Sequence, residues 1–211
     1  MTNIRARQSL AARLLPIGFL MSASLFSAAP AIAGPALASS DVSTSLRAAG
    51  PHPSLGDQAG LMGRLVGTWD VDYVDIAKDG AVKRHPGQLI VGWVMDGRAI
   101  QDLWIVDPSG SRTEREVYAD IRYFDPKTKT WPAAFFDPEH ASITRFTSGP
   151  VDGDRIVLNT QDLGGDTRWS FNEIGPNAFI FRDEVSGDGG KTWRLRSEDH
   201  LTRRGGQPPA R

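Results

Sequence analysis

The sequence predicts an all-β fold in which short antiparallel strands follow one another as a meander. Ten segments with alternating apolar and polar residues lie between Val66 and Thr202, separated by turn signals at nearly regular intervals. Asp-Gly, Asp-Pro and Gly-Gly dipeptides mark most of these turns, because they supply a positive φ or a preset φ near −65°. A meander of about eight to ten strands closes into a barrel or folds into a sandwich, since long unpaired edges invite aggregation.

The elements are predicted in order from the alternation and the turns. The segment Leu55 to Leu65 has the longest helical pattern in the chain and predicts a short helix before the first strand. The strands are predicted over residues 66–76, 88–95, 99–106, 114–124, 130–136, 142–148, 155–161, 167–174, 178–185 and 193–202.

The first residues have the features of a secretory signal. Three arginines and no acidic residue precede an apolar run from Leu14 to Phe26, which is shorter than the roughly 20 residues that span a bilayer. Small residues for cleavage follow at Ala31-Ile32-Ala33, with Ala36-Leu37-Ala38 as a second candidate. We expect a signal peptide over 1–33, a flexible leader over 34–56, a barrel domain over 57–204 and a disordered tail over 205–211. The protein would then be exported, to the periplasm or the medium.

Composition excludes several classes of function. The chain has no cysteine, which removes disulfides, thiolate chemistry, cysteine metal sites and a lipid anchor on cysteine. Removal of residues 1–33 takes away three arginines and leaves 21 basic against 25 acidic residues, a net charge of −4. This balance gives no electrostatic reason to expect nucleic acid or an anionic membrane as a partner. The oligomeric state is left open.

The stretch SGDGGKTW, Ser186 to Trp193, has the form S-x-D-x-G-x-T-W and resembles the Asp-box of sialidases and related propellers. A propeller repeats blades of roughly 40–50 residues and uses at least four, whereas this motif occurs once and the expected domain over 57–204 has room for only about three blades. The motif therefore predicts a structural turn: Asp188 accepts backbone N–H groups, and Trp193 covers the turn. Ser186, Asp188 and Trp193 are assigned this structural role.

Gly67 and Trp69 form a G-x-W at the start of the first strand, which resembles the opening signature of lipocalins and the wider calycin group. That resemblance implies a barrel rather than a sandwich, with the tryptophan packed across its closed end. Further patterns, R-x-Y/F-D-P…W and R-W-x-F-x-x-I…F-x-x-x-x-E-x-S-x-D-G-G-x-T-W, are similar to those of an uncharacterised bacterial family of lipocalin-like proteins. The matching positions are Arg122, Trp131, Arg168, Trp169, Glu184, Ser186 and Trp193, with Phe181 where the family pattern has tryptophan. The resemblance implies a fold and no activity.

A small barrel can enclose one ligand among its inward side chains. Trp93, Trp104, Trp131 and Phe135 are candidates for an apolar lining, although aromatic residues can equally fill the core. Charged residues within strands are the other candidates. Arg122 and Arg168 could grip a ligand carboxylate, with Glu184 holding the arginine when the site is empty. Asp102 is a further candidate binding residue. The alternative is an ion-pair ladder on the outer surface.

The sequence contains no recognisable catalytic constellation. It lacks G-x-S-x-G, H-E-x-x-H and a Gly-rich phosphate loop, and its four histidines have no metal-ligand spacing, so we expect no metal and no cofactor. The leading hypothesis is an exported binding protein for a small apolar or amphipathic molecule, which could bear a carboxylate. One alternative is an isomerase, cyclase or hydratase inside the barrel, with Glu184 or Asp102 as the acid–base group. Another is an envelope protein that acts through its surface.

Overall fold

The computed structural model describes residues 41–148, 155–163 and 165–205. Each strand pairs with its neighbours in the chain and the last strand pairs with the first, which closes an antiparallel up-and-down barrel. The predicted fold class is therefore confirmed, and the arrangement is consistent with a calycin-like barrel. The predicted signal peptide, residues 34–40 of the predicted leader, the turn at 149–154 and tail residues 206–211 lie outside the described residues.

The helices are short and precede the barrel. They are α1 Val42–Leu46, a 3₁₀ turn at Pro53–Leu55 and α2 Gln58–Gly63. The strands are β1 Gly67–Ile76, β2 Val82–Val94, β3 Ala99–Val106, β4 Glu116–Tyr123, β5 Ala133–Asp137, β6 Ser142–Ser148, β7 Ile156–Thr160, β8 Asp166–Asn172, β9 Ala178–Ser186 and β10 Arg194–Arg203. All ten predicted strands are present. Among the described residues no helix has the length and apolar character that crossing a membrane requires.

Strand β2 begins six residues earlier than the predicted 88, and it includes Pro86. Strand β3 pairs with β2 only as far as Gly87 opposite Val106, while β1 continues to pair with β2 as far as Val82. The carbonyl of Pro86 faces the β3 side, where it accepts from the N–H of Asp107 at 3.0 Å. The nitrogen of Pro86 faces the same side, beyond the end of the β3 ladder. A strand tolerates a residue without an N–H at such a position.

One end of the barrel is closed by packing around Trp69. This side chain is fully buried, donates from Nε1 to the carbonyl of Leu65 at 2.8 Å, and packs edge-on against Phe179. The guanidinium of Arg203 lies over the indole at 3.9 Å and donates to three backbone carbonyls. Gly67 has φ +143°, and a Cβ there would overlap Arg203 Nη1, so glycine is required on two grounds.

Part of the segment expected to form a flexible leader contacts this closed end. Arg47 forms a β-bridge with Val94, and the N–H of Ala48 donates to the carbonyl of Trp93 at 2.9 Å. The N–H of His52 likewise donates to Gly97 at 2.9 Å, in the β2–β3 turn. These residues thus add backbone hydrogen bonds to the barrel.

Alternate residues of each strand point into the barrel and form its core. The register sets the inward layers: Leu89 is opposite Trp104, Val91 opposite Asp102, and Ile100 opposite Arg122. Near the closed end these side chains fill the interior. We use the term mouth for the opposite end of the barrel, where the odd-numbered strands end and the even-numbered strands begin.

Candidate ligand-binding site

A cavity of about 280 Å³ opens at the mouth of the barrel. Most of the strand residues that line it lie in the mouth half of their strands, which places the cavity toward the end opposite Trp69. The lining consists of Tyr73, Asp75, His85, Trp104, Val106, Arg112, Glu116, Tyr118, Phe135, Trp169, Phe181, Asp183, Ser197 and Asp199. The cavity is small for a ligand site, since such sites are typically about 300–1,000 Å³.

Aromatic rings form the floor of the cavity. Trp104 packs against Phe181 with ring centroids 4.9 Å apart, and Trp169 lies 4.9 Å from Phe135 and 5.6 Å from Phe181. These rings come from four strands and interlock mainly edge to face, an arrangement that stabilises aromatic clusters. The floor therefore separates the cavity from the filled half of the barrel.

Carboxyl groups dominate the rim. Glu116 accepts from Arg112 and, at 2.6 Å, from the hydroxyl of Tyr118. Asp183 pairs with Arg196 at 2.8 Å, from Nη2 to Oδ1. Two further carboxyls, Asp75 and Asp199, complete the set, and no arginine or lysine of the described residues pairs with either. The mouth thus combines an apolar floor with a polar and mainly acidic rim.

Asp199 is the most deeply placed of these carboxyls, with 4% of its surface exposed. One oxygen accepts the backbone N–H of Val74 at 3.1 Å. Burial raises the pKa of Asp199 to about 8, and the nearby carboxyls of Asp75 and Asp183 push it in the same direction. The Asp199 carboxyl therefore titrates just above neutral pH.

A separate charged cluster is buried on the filled side of the aromatic floor. Arg122 donates from Nη2 to Asp102 and to Asp120, the latter at 2.9 Å, and none of the three side chains is reached by solvent to a significant extent. Burial raises the pKa of Asp102 to about 7, although the Arg122 charge opposes this shift. The second oxygen of each carboxyl has no hydrogen-bond partner. Arg122 is thus held by two aspartates within the core, although its Nε has no hydrogen-bond partner.

The structure brings together only some of the predicted site residues. Trp104 and Phe135 line the cavity, as expected. Asp102 and Arg122 point inward and meet, but they lie in the buried cluster and do not line the cavity. Trp93 is buried near the closed end because it lies at the end of β2.

Trp131 is likewise 2% exposed and packs against Phe124, just before β5 begins. These two tryptophans fill the core, which is the alternative that the sequence left open. In the described part of the chain, no group of three or more His, Asp or Glu side chains could hold a metal ion.

Arg168 and Glu184 do not face the interior, which corrects the expected inward set. Strand β8 places Thr167, Trp169 and Phe171 inward, so the intervening Arg168 lies on the outer face. There it donates to both oxygens of Glu184 at 2.8 and 2.9 Å and stacks over Trp193 at 4.1 Å. The pair is a cross-strand ion pair of the outer surface. Glu184 and Asp102 are also wrong as acid–base groups for the cavity, because neither lines it.

The Asp-box forms the predicted turn between β9 and β10. Asp188 accepts the backbone N–H groups of Lys191 and Thr192 at 3.0 and 2.9 Å, and the hydroxyl of Thr192 at 2.6 Å. Ser186 donates to Asp188 at 2.8 Å, and the indole of Trp193 donates to the carbonyl of Gly190 at 3.0 Å. The hydrogen bonds from Thr192 are the main reason that the pKa of Asp188 falls to about 2.

Sequence reasoning missed the carboxyls of the rim. Asp183 follows Phe179 and Phe181 at intervals of two, and Asp199 precedes Leu201 in the same way. This alternation places both acids on the apolar face of their strands, and it could have predicted that they point inward. It was overlooked because a charge on a buried face is uncommon.

No family model and no curated protein matches the sequence. Among solved structures, the S-type phycobiliprotein lyase of Guillardia theta is similar with a TM-score of 0.48 at 12% identity, over 69% of this chain and 91% of that one. A redesigned beta barrel is similar with a TM-score of 0.37 at 15% identity, over 68% of this chain and 95% of that one.

Proposed function

We propose that this protein binds a small apolar or amphipathic molecule in the cavity at the barrel mouth. The observation that carries the proposal is the cavity itself, of about 280 Å³, with an aromatic floor and a polar rim. Apolar walls with a few convergent polar groups are the usual form of a ligand site. The mouth of a β-barrel is also one of the places where such sites occur.

The charge of the cavity does not support a carboxylate on the ligand. The two arginines expected to bind one are engaged elsewhere: Arg122 with two aspartates in the core, and Arg168 with Glu184 on the outer face. Arg112 is the arginine in the lining, and it is paired with Glu116. An anionic group would face the remaining carboxyls of the rim and be repelled.

A variant that fills the cavity tests this proposal. Val106 lines the cavity from the end of β3, whereas Val117 lies on the outer face of the neighbouring strand β4 and is 39% exposed. Val106→Trp should occupy the cavity and abolish ligand binding, and Val117→Trp should leave binding intact. Native mass spectrometry would identify any co-purified molecule. Calorimetry with neutral, cationic and anionic one-ring probes would measure affinity.

The outcome distinguishes binding in the cavity from binding on the outer surface. Binding that is saturable, lost in Val106→Trp and retained in Val117→Trp supports the cavity. Binding that survives Val106→Trp, or the absence of any co-purified molecule and any probe binding, overturns the proposal.

We also propose that the protein is exported. The basic N-terminal region, the apolar run from Leu14 to Phe26 and the small residues at Ala31-Ile32-Ala33 support this proposal. N-terminal sequencing after expression in a Gram-negative host should find a chain that begins at Gly34 or Ser39. An intact Met1 in the cytoplasmic fraction would contradict export.

A further inference from the structure

We propose that the ligand carries an organic cation, an amine or a quaternary ammonium group, on a small apolar body. This inference rests on the proposed binding function and names the class of molecule that the cavity fits. Three features of the lining carry it: its charge, its aromatic faces and one buried carboxyl without a cationic partner.

The first feature is an excess of negative charge. Four carboxyls line the cavity, against Arg112 and His85. Arg112 is paired with Glu116, and Asp183 is held by Arg196 from outside the lining. Asp75 lies 3.4 Å from His85 Nε2, a group that is cationic only when protonated. A cation entering the mouth therefore meets Asp75 and Asp199, which have no arginine or lysine partner among the described residues, and Asp199 adds its negative charge as it loses its proton near pH 8.

The second feature is the number of π-faces around the same space. Tyr73, Trp104, Tyr118, Phe135, Trp169 and Phe181 all line the cavity. Aromatic faces attract ammonium groups within about 6 Å of the ring centroid, most strongly when the site is desolvated. The two phenol hydroxyls are already used, since Tyr73 donates to the carbonyl of Ile105 at 3.2 Å and Tyr118 donates to Glu116. The rings therefore offer their faces rather than free hydrogen-bond donors.

The third feature is the free oxygen of Asp199. This side chain is 4% exposed and lines the cavity, and only one of its oxygens is used, by the N–H of Val74. No group among the described residues donates to the other oxygen. That oxygen opens onto the cavity, so a donor or a positive charge on a ligand can approach it directly. Among the described residues no side chain supplies such a group, so a ligand that carries one fits the site.

The experiment compares three probes of similar shape: benzyltrimethylammonium, its neutral isostere neopentylbenzene, and phenylacetate. Calorimetry on the full chain should show the cation binding at least tenfold more tightly than the neutral isostere, with phenylacetate the weakest. At pH 9, where Asp199 is ionised, Asp199→Asn keeps the shape of the side chain and should weaken cation binding about tenfold, while the affinity for neopentylbenzene changes by less than about twofold. Glu198→Gln is the matched control, because Glu198 is the neighbour on β10 that pairs with Arg182 on the outer face.

A pH series supplies a second readout, because a quaternary ammonium does not titrate. The affinity for benzyltrimethylammonium should rise between pH 6 and 9 as Asp199 loses its proton, and this rise should vanish in Asp199→Asn. The titratable or charged groups around Asp199 are Asp72, Tyr73 and Asp75 of β1, His85 of β2, Arg112, Glu116 and Tyr118 across the mouth, and Asp183 of β9 with its partner Arg196. If the rise in affinity disappears in Asp199→Asn, it is caused by the ionisation of Asp199 and not by the ionisation of these other groups.

The possible failures are distinguishable. If neopentylbenzene or phenylacetate binds as tightly as the cation, and Val106→Trp abolishes that binding, the cation inference is overturned and the proposed function stands. Cation binding that is unchanged in Asp199→Asn also overturns the inference. If none of the three probes binds and no molecule co-purifies, the inference and the proposed function both fall.

Discussion

At the scale of individual residues, one arginine, Arg122, binds two carboxyl groups inside the barrel. Asp102 and Asp120 lie opposite each other on β3 and β4, and both point inward with Arg122 between them. The cluster has one positive and two potential negative charges, and burial keeps the pKa of both aspartates raised. A buried ion pair is weak evidence for stability, but removal of one partner leaves a charge without compensation.

Replacement of Arg122 by methionine should therefore destabilise the protein strongly. We expect Arg122→Met to lower the free energy of unfolding by about 3–5 kcal/mol at pH 7. The loss should be smaller at pH 5, because both aspartates can then be neutral. Urea denaturation followed by circular dichroism at the two pH values would measure this. Arg145→Met, at an exposed position of β6, is the control and should have little effect. Equal effects of the two substitutions would contradict the account.

At the scale of elements, the hairpin between β9 and β10 shows how a local motif serves the site. Ser186 and Asp188 organise the turn through their side-chain oxygens, and Gly189 and Gly190 adopt the positive φ that the turn needs. This hairpin lies at the mouth and connects the strands that carry Asp183 and Asp199. The motif thus sets the pairing of two strands that contribute carboxyls to the rim.

Loss of the Asp188 carboxylate should weaken this hairpin. We expect Asp188→Ala to lower Tm by about 2–4 °C, the size of effect that a loss of roughly 1 kcal/mol has in a domain of this length. Asp79→Ala is a suitable comparison, because Asp79 accepts one backbone N–H, from Ala81 at 3.0 Å, in the β1–β2 turn. Asp79→Ala should lower Tm by less than Asp188→Ala does. A scanning calorimetry experiment that found the two changes equal would show that the additional hydrogen bonds of Asp188 contribute nothing.

The whole molecule should be less stable at higher pH because of Asp199. Its pKa is about 8 in the folded state, against about 3.9 in an unfolded chain. Between these values the folded state binds more protons, so the free energy of unfolding falls as pH rises from about 4 to about 8.

Substitution of Asp199 by asparagine should flatten this dependence. Asp199 contributes a slope of up to about 1.4 kcal/mol per pH unit, which Asp199→Asn should remove. Urea denaturation at pH 5, 6, 7 and 8 would compare the two proteins. Asp102, with a pKa raised to about 7, remains in the variant and should leave a residual slope. Identical slopes in the variant and the parent would refute the assignment to Asp199.

Most of the architecture could be predicted from short stretches of the sequence. The ten strands, the short helix before Gly67 and the turn at Asp188 follow from alternation, turn dipeptides and a motif, all of which act over a few residues. Trp69 is fully buried at the closed end, where it donates to the carbonyl of Leu65. The early start of β2 was missed because proline is normally a signal against a strand.

The sequence by itself thus determined the strands, their order and the all-β class, because these depend on short-range backbone preferences. Alternation also separated the two faces of each strand, but it did not show which face points inward. Arg168 was therefore expected inside the barrel, whereas the structure places Trp169 and Phe171 on the inward face and Arg168 on the outer one. The tertiary structure decided which side chains meet. Tyr73 and Asp199 are far apart in the chain and share a cavity only because closure pairs β1 with β10 in one register. Register and closure also confine Arg122 to the core and leave Asp199 facing the cavity, since contacts across a barrel depend on long-range geometry that no local pattern encodes.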